Sequence, residues 1–486
     1  MRHFIFLIVA VFGISFLSSA QIVEYKLGSN NKAPEYFTQY TQHLGEFDNF
    51  YYNVYMNGYG KVFLEKIDAE FNLVSNTLIS KDLASAGGTK SKLFYVVLVN
   101  GKVNMFYEKA EKGEQKIICN TYSLTGEELG SKLINSMPYS RMGERDFSAF
   151  KAKVSKSGKE IAIGAALGYR TKKSLHVQLM GVNLEDLTII DSKVMVQEMD
   201  YKFITSINDI EISENGKVAL SVLIKNEKTL NRTDYFYLLS NFRLEFKKLE
   251  TEEGYYYYTD LEFIDNRIDL AGCFELKSSD KKKKKKGFFY GSINAFDLRF
   301  TSNEQLAFDN EYSQFLYSID INFPVTRLIN EGCYRTEIIP IDENRSYLLF
   351  EHHCSFISKS RELIVLLVNK KQIEQKWLIP KYFVYNQGDG YSYDLKGEKL
   401  RIIYNDNSNN LGSKNLEDSE RIFSSFDETA SVIVCEVEPN EPIKRQLLLK
   451  ADVVEGQLIP LLSGNNKEGL FITLNKGNNR VYGVLK

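Results

Sequence analysis

Residues 206–249 read SINDIEISENGKVALSVLIKNEKTLNRTDYFYLLSNFRLEFKKL. Four short strands alternate with turns in this stretch. The first covers 206–212 and stops at Glu214-Asn215-Gly216, where the glycine tolerates the left-handed backbone of a tight turn. The second, 218–224 (VALSVLI), is apolar on both faces. A polar loop leads to the third, 234–240 (DYFYLLS), and a further turn to the fourth at 245–249. Four strands linked by hairpin turns make one small antiparallel sheet.

The same order recurs along the chain, and a repeat governs how every local segment is read. Upstream it occupies 92–99, 103–108, 116–124 and 128–134, with turns at Asn100-Gly101 and Thr125-Gly126. It returns at 147–154, 160–167, 174–182 and 187–194, around Ser157-Gly158. Downstream it covers 336–341, 346–353, 361–368 and 373–378, and looser copies begin near Tyr40, Thr259 and Tyr391. First-hairpin turns fall near Asp48, Gly101, Gly158, Gly216, Asn266, Asn344, Gly397 and Asn466. The middle strands VALSVLI, RELIVLLVN and SVIVCEV are apolar on both faces, whereas a strand with one wet face alternates. Such strands belong to sheets stacked on both sides. The last unit (458–462, 469–474, 480–485) lacks a fourth strand, and 22–27 (IVEYKL) is a strand without a unit. Residues 21–29 are therefore expected to complete the final sheet and remove its free edge.

On these features the chain resembles the β-propeller superfamily. The resemblance spans residues 21–486 as a single domain. It implies an all-β ring of about eight four-stranded antiparallel blades closed by the N-terminal strand, with seven blades as the alternative count. No named repeat class is matched: there is no Trp-Asp dipeptide, no periodic Gly-Gly pair and no Asp-box. A single Trp excludes any class that needs one per repeat, and argues against the quinone-dependent propeller dehydrogenases. Only 8 Pro leave no Pro-rich linkers for a string of sandwiches. Doubly apolar strands do not suit an outer-membrane barrel.

Residues 1–20 read as a secretory signal peptide: Met1-Arg2-His3, an apolar run over 4–17, then Ser18-Ser19-Ala20 as a cleavage site. The run is too short for a spanning helix, so the mature chain is expected to lack a transmembrane segment. It is expected in the periplasm, on the outer membrane or secreted, as a monomer. The Tyr-, Phe-, Asn- and Lys-rich, Pro-poor style is similar to that of exported proteins of Bacteroidota. With 61 basic against 63 acidic residues, the chain lacks the excess of a nucleic-acid binder. Cys119, Cys273 and Cys435 lie in strand-like runs and read as small buried hydrophobes. Cys333 and Cys354 are the pair open to a disulfide.

Motifs of chemistry are absent: no GxSxG, HExxH, EF-hand loop, P-loop or GxGxxG occurs, and no cofactor or metal is expected. His352-His353-Cys354 is the densest ligand-type cluster, but neighbours on a strand point to opposite faces. His43 and His176 read as packed or surface residues. Asp389-Gly390, Asp394 and the tract from Asn405 to Asn410 offer oxygens of the kind calcium prefers, without regular spacing. Tyr255 to Tyr258 read as half-buried strand entry, with a sugar platform as the alternative.

The second-to-third-strand loops carry the charge. Arg170, Lys172 and Lys173 lie in unit three, and Lys225, Lys228 and Arg232 in unit four. Unit five has Lys277, Lys281, Lys282, Lys283, Lys284, Lys285 and Lys286. The unit-seven insertion, 405–428, is acidic. A basic sector on one face would attract a polyanion through a screened field. The candidate ligand-binding residues are therefore Arg170, Lys172, Lys173 and the run from Lys281 to Lys286. The expected function is an exported, non-enzymatic binding or scaffolding module for an envelope protein or anionic glycan. The alternative is a glycan lyase or hydrolase using carboxylates in the central funnel, whose catalytic residues the sequence does not identify.

Overall fold

Eight antiparallel sheets follow one another along the chain. They are seen in a computed structural model that describes residues 25–29, 31–32, 38–57, 59–80, 91–111, 114–138, 145–169, 173–229, 231–241, 243–250, 254–276, 286–307, 333–354, 359–369, 372–383, 390–412, 430–449, 456–460, 463–465, 469–476 and 479–486. Blade 1 runs from Thr38–Phe47 to Leu73–Ser80, and blade 2 from Ser91–Val99 to Glu128–Pro138. Blade 3 runs from Arg145–Val154 to Ile189–Glu198, and blade 4 from Phe203–Ile212 to Arg243–Lys248. Blade 5 spans Gly254–Ile264 to Phe300–Ala307, blade 6 Cys333–Pro340 to Gln372–Phe383, and blade 7 Tyr391–Lys396 to Lys444–Leu449. Within each of these, four strands pair in chain order. The count is eight blades rather than seven.

First strands of successive blades pack on one another: 145–154 on 203–212, that on 254–264, and that on 333–340. They line the central channel, and the fourth strands form the rim. Burial follows this order. In blade 4 the second strand, Val218–Asn226, is almost wholly buried, while the rim strand Arg243–Lys248 is largely exposed. The core is correspondingly a series of slabs. One lies between blades 3 and 4 around Leu179, Ile210 and Leu220, and another between blades 6 and 7 around Val365, Ile402 and Ile433. Doubly apolar sequence is what a sheet packed on both faces requires. Cys119, Cys273 and Cys435 are buried inside these slabs. The side chains of Cys333 and Cys354 lie outside the described residues.

Blade 8 is a composite. Gly456–Leu458 and Gly464–Asn465 pair with Leu470–Lys476, which pairs with Asn479–Leu485. The outer edge of that strand takes Tyr25–Leu27 and Asn31–Lys32, in register Tyr25↔Leu485 and Asn31↔Arg480. Ladder bonding continues into Gly28, whose N–H reaches the Tyr482 carbonyl at 2.9 Å. Gly483 is required there, because a Cβ would lie 2.4 Å from the Lys26 carbonyl oxygen. The N-terminal strand thus closes the ring as the sequence implies; residues 1–24, on which the expected signal peptide falls, lie outside the described residues.

The inner strands are irregular. Register shifts interrupt them at Thr38/Tyr40, Leu93/Tyr95, Arg145/Phe147, Ile207/Asp209 and Tyr257/Asp260. Bulges of this kind twist a strand and re-aim its side chains. The largest, in blade 5, places Tyr258 in the left-handed region (φ 56°). Gly272 faces it, and a Cβ there would come within 2.9 Å of the Tyr257 and Tyr258 carbonyl oxygens.

Candidate functional site in the central channel

The inner strands of blades 3 to 7 enclose a cavity of roughly 460 Å³. Its polar wall comes from residues two apart on each strand: Lys151 and Lys153, Asp209 and Glu211, Asp260 and Glu262, Arg335 and Glu337, with Tyr393 from blade 7. Alternation puts each such pair on one strand face, and the first-strand position turns that face to the channel.

The carboxylates are engaged across blade seams. Lys151 Nζ lies 2.7 Å from Asp209 Oδ1, and also donates to the Asn208 carbonyl at 2.5 Å. Lys153 Nζ lies 2.5 Å from Glu211 Oε1. The other oxygen of Asp209 accepts from the Leu261 N–H at 3.2 Å, and Asp260 accepts from the Ile338 N–H at 2.9 Å. Glu262 is 2.7 Å from Lys156 Nζ. Glu337 accepts from the Tyr391 and Tyr393 hydroxyls at 2.9 and 2.8 Å.

Side-chain latches of this type occur at the other seams as well. Gln42 accepts from the Val96 N–H, and Tyr95 bonds the Val154 backbone. Asn405 makes a reciprocal pair with the Leu458 backbone at 2.9 and 2.8 Å. Between blades 8 and 1, Arg480 Nη1 sits 2.6 Å from Glu65 Oε1, both residues being buried.

This crowding separates the carboxyl pKa values. Burial raises Asp260, and neighbouring Asp209 and Glu337 raise it further, well above the usual range. Asp209 moves the other way: burial opposes its charge, but Lys151 and Lys153 outweigh it, with the Asp260 carboxyl as a hydrogen-bond partner. Two neighbouring carboxyls that do not both ionise behave in this manner. Glu211 is pushed up to about 7, chiefly by burial and then by Asp209 and Glu262, against the pull of Lys153.

Arg335 differs from the other charged groups of the wall. It is exposed to the channel, its guanidinium lies 5.3 Å from the Tyr391 ring centroid, and among the described residues it has no hydrogen-bonded partner. Burial pulls its pKa down, and Tyr391, Glu337 and Glu351 outweigh that and raise it, so it stays charged. Glu351 itself is paired with the fully buried Lys381, which also donates to the Gly390 carbonyl at 2.7 Å.

The residues singled out in the sequence are placed differently. Arg170, Lys172, Lys281, Lys282, Lys283, Lys284 and Lys285 lie outside the described residues, as does the side chain of Lys286. Lys173 is exposed at a turn and donates to the Asp200 carbonyl at 3.1 Å. His352, His353 and Cys354 end the second strand of blade 6, with side chains outside the described residues. His43 packs on Phe471 with ring centroids 4.6 Å apart, and His176 is half-buried.

In the oxygen-rich tract, Asp406 accepts from the Asn407 N–H and Asn410 Nδ2, both at 2.8 Å. Asp394 is bound to buried Arg401, with Nε 2.7 Å from Oδ1. These groups serve turns and seams, and among the described residues no three ligand-type side chains converge on a metal position. Of the four tyrosines, adjacent Tyr256 and Tyr257 are the buried pair, because they point to opposite faces of a sheet packed on both: Tyr256 enters the slab shared with blade 4 and Tyr257 the slab shared with blade 6.

No family profile matches the chain, and no curated protein matches it. Solved structures do. The WD40 domain of SCAP from fission yeast shares 9% identity at a TM-score of 0.45, covering 96% of this chain and 98% of that one. The β-propeller domain of the Trilobed protease from Pyrococcus furiosus, described as having an open velcro topology, shares 10% at 0.34, covering 85% and 97%. A GH32 β-fructofuranosidase mutant from Bombyx mori in complex with sucrose shares 10% at 0.30, covering 88% and 95%. At these identities the likeness concerns the fold alone. The eight four-stranded sheets themselves make the chain a β-propeller.

Proposed function

We propose that the protein is an exported, non-enzymatic propeller that acts as a binding module for an envelope protein or an anionic glycan, using the channel cavity. One observation carries the reading: all five carboxyl groups of the cavity wall already accept from a donor on another blade, whereas the Arg335 guanidinium has no acceptor among the described residues. A site for acid–base turnover keeps a proton donor and acceptor free to reach substrate. A site for recognition presents fixed polar groups in a cavity of a few hundred Å³. The leader-like residues 1–20 support export, and among the described residues no helix is long and apolar enough to cross a membrane.

The opposed shifts of Asp209 and Asp260, with Glu211 at about 7, favour a second reading as a glycan hydrolase or lyase. One experiment separates the two. Residues 21–486 are incubated with uronate-containing oligosaccharides, and both retention on the immobilised glycan and released products are measured. The binding reading expects retention without products. Release of reducing or unsaturated ends that E211Q or D260N abolishes would establish the hydrolase or lyase instead.

A further inference from the structure

We propose that the channel cavity recognises a single carboxylate-bearing sugar, a hexuronic acid end group, with Arg335 as the anchor for its carboxylate. The inference rests on the binding reading above and names its ligand class.

The chemistry of the wall selects this guest. Arg335 offers a planar fork of N–H donors, which matches a carboxylate with two parallel bonds. Its position is prepared. Gly390, at φ 98°, lets the backbone pass with what would be a Cβ only 3.4 Å from Arg335 Nη1, and Tyr391 lies beside the guanidinium. Every other cation of the wall is tied to a carboxylate, so one anionic group finds one open partner.

The remaining polar atoms are mostly oxygens. Asp209, Glu211 and Glu337 each have a carboxylate with more lone pairs than the bonds described above use. Tyr393 and the bulged Tyr258 segment add to the wall. A guest that satisfies such a wall brings several O–H donors around its single carboxylate. A hexuronic acid does so, whereas a simple fatty or aromatic acid does not.

The same wall rejects a more highly charged anion. Five carboxyl groups against three cations make the cavity no general polyanion trap, because a second negative charge meets Glu337 and Glu211 without a free cation. A neutral sugar leaves Arg335 unpaired.

Titration calorimetry of residues 21–486 with glucuronic acid, glucose, glucosamine and glucose 6-phosphate tests this directly. Glucuronic acid is expected to bind roughly 10- to 100-fold more tightly than glucose, the range of a charge-assisted hydrogen bond. R335Q is expected to bring glucuronic acid down to the level of glucose. Among the described residues Arg335 makes no side-chain hydrogen bond, so R335Q should melt within a few degrees of the parent, and the sugar ranking of the unmodified protein is an independent reading. Equal binding of glucose and glucuronic acid overturns the proposal. So does tighter binding of glucosamine or glucose 6-phosphate, or an R335Q protein that still prefers glucuronic acid. If glucuronic acid fails while a uronate oligosaccharide is still retained uncleaved, the anchor is wrong and the binding reading stands. If glucuronic acid binds through Arg335 but the oligosaccharide is cleaved, the anchor stands and the non-enzymatic reading falls.

Discussion

The seam between the last blade and the first is the place where a ring can open, and a buried ion pair spans it. Arg480 comes from the strand Asn479–Leu485 of blade 8 and Glu65 from Val62–Ile67 of blade 1. They are 4% and 1% exposed, with Nη1 and Oε1 2.6 Å apart. The guanidinium also lies 5.0 Å from the Tyr55 ring, and Asn53 donates to the second Glu65 oxygen at 3.4 Å. R480M keeps the volume and removes the charge, leaving Glu65 with one weak amide donor in a site closed to water. Removing one member of a buried pair costs about 3–5 kcal/mol, most of it the stranded charge. At about 2.1 cal/mol/K per residue, a ring of this size has an unfolding entropy near 1 kcal/mol/K, so the melting temperature should fall by about 3–5 °C. The double variant R480M/E65Q removes the stranded charge and should recover to within about 1–2 kcal/mol of the parent. Urea unfolding would be followed by circular dichroism and by fluorescence of Trp377, the only Trp, which is 6% exposed in blade 6. Coincident transitions would show that breaking the seam is felt two blades away in one cooperative event. A loss below about 1 kcal/mol for R480M, or a double variant as weak as the single, would refute the argument that this pair locks the ring.

Two other perturbations probe the same closure. G483A introduces a methyl 2.4 Å from the Lys26 carbonyl and 2.6 Å from a Leu27 methyl, so it should cost about 1–3 kcal/mol. It should also expose residues 25–32 to limited proteolysis before the rest of the chain; equal cleavage rates would contradict it. His43 hydrogen-bonds Asn53 at 2.8 Å, while its Nε2 is enclosed without a partner, and burial lowers its pKa to about 4. Its folded value lies below the unfolded value of about 6.5, so its contribution is fully present above that pH and is lost as pH falls toward 4, by up to about 3 kcal/mol. H43F keeps the stacking on Phe471 and cannot take up the proton. Its urea midpoint should therefore fall less than that of the parent between pH 7 and 4.5, and parallel slopes would disprove the assignment.

The fold was legible because its signals are local and repeated. VALSVLI cannot serve a sheet with a wet face, and the glycines at 101, 158, 216 and 397 all adopt positive φ at the first hairpin of their blades. The unpaired strand at the N-terminus and the incomplete unit at the C-terminus pointed to each other. A one-sided alternation misled at Tyr255 to Tyr258, where two adjacent rings are buried because both faces of the sheet are packed, and the bulge that follows them is written in no residue type of its own. It is Gly272, on the neighbouring strand, that makes room for it.

The channel site was legible in a form that needed one more step. Each inner strand of blades 3 to 7 carries a spaced doublet: KAK at 151–153, DIE at 209–211, DLE at 260–262, RTE at 335–337 and YSY at 391–393. Taken singly, each doublet is the outward face of an ordinary half-solvated strand, and charge on such a face carries no information. The repeat changes its meaning. Once the phase identifies which strand of every unit comes first, all five doublets fall on the strand nearest the axis, where five faces share one small volume. Opposite charges on adjacent blades then pair, like charges shift each other's protons, and among the described residues of the wall one cation is left without a hydrogen-bonded carboxylate. That cation is Arg335, whose doublet partner Glu337 is held by two tyrosines of the next blade and so cannot neutralise it by a direct bond. Charge runs in loops are easy to see and tolerated anywhere on a surface. Charges that a closed ring forces together are harder to see, and they are the ones whose arrangement the fold must have accommodated.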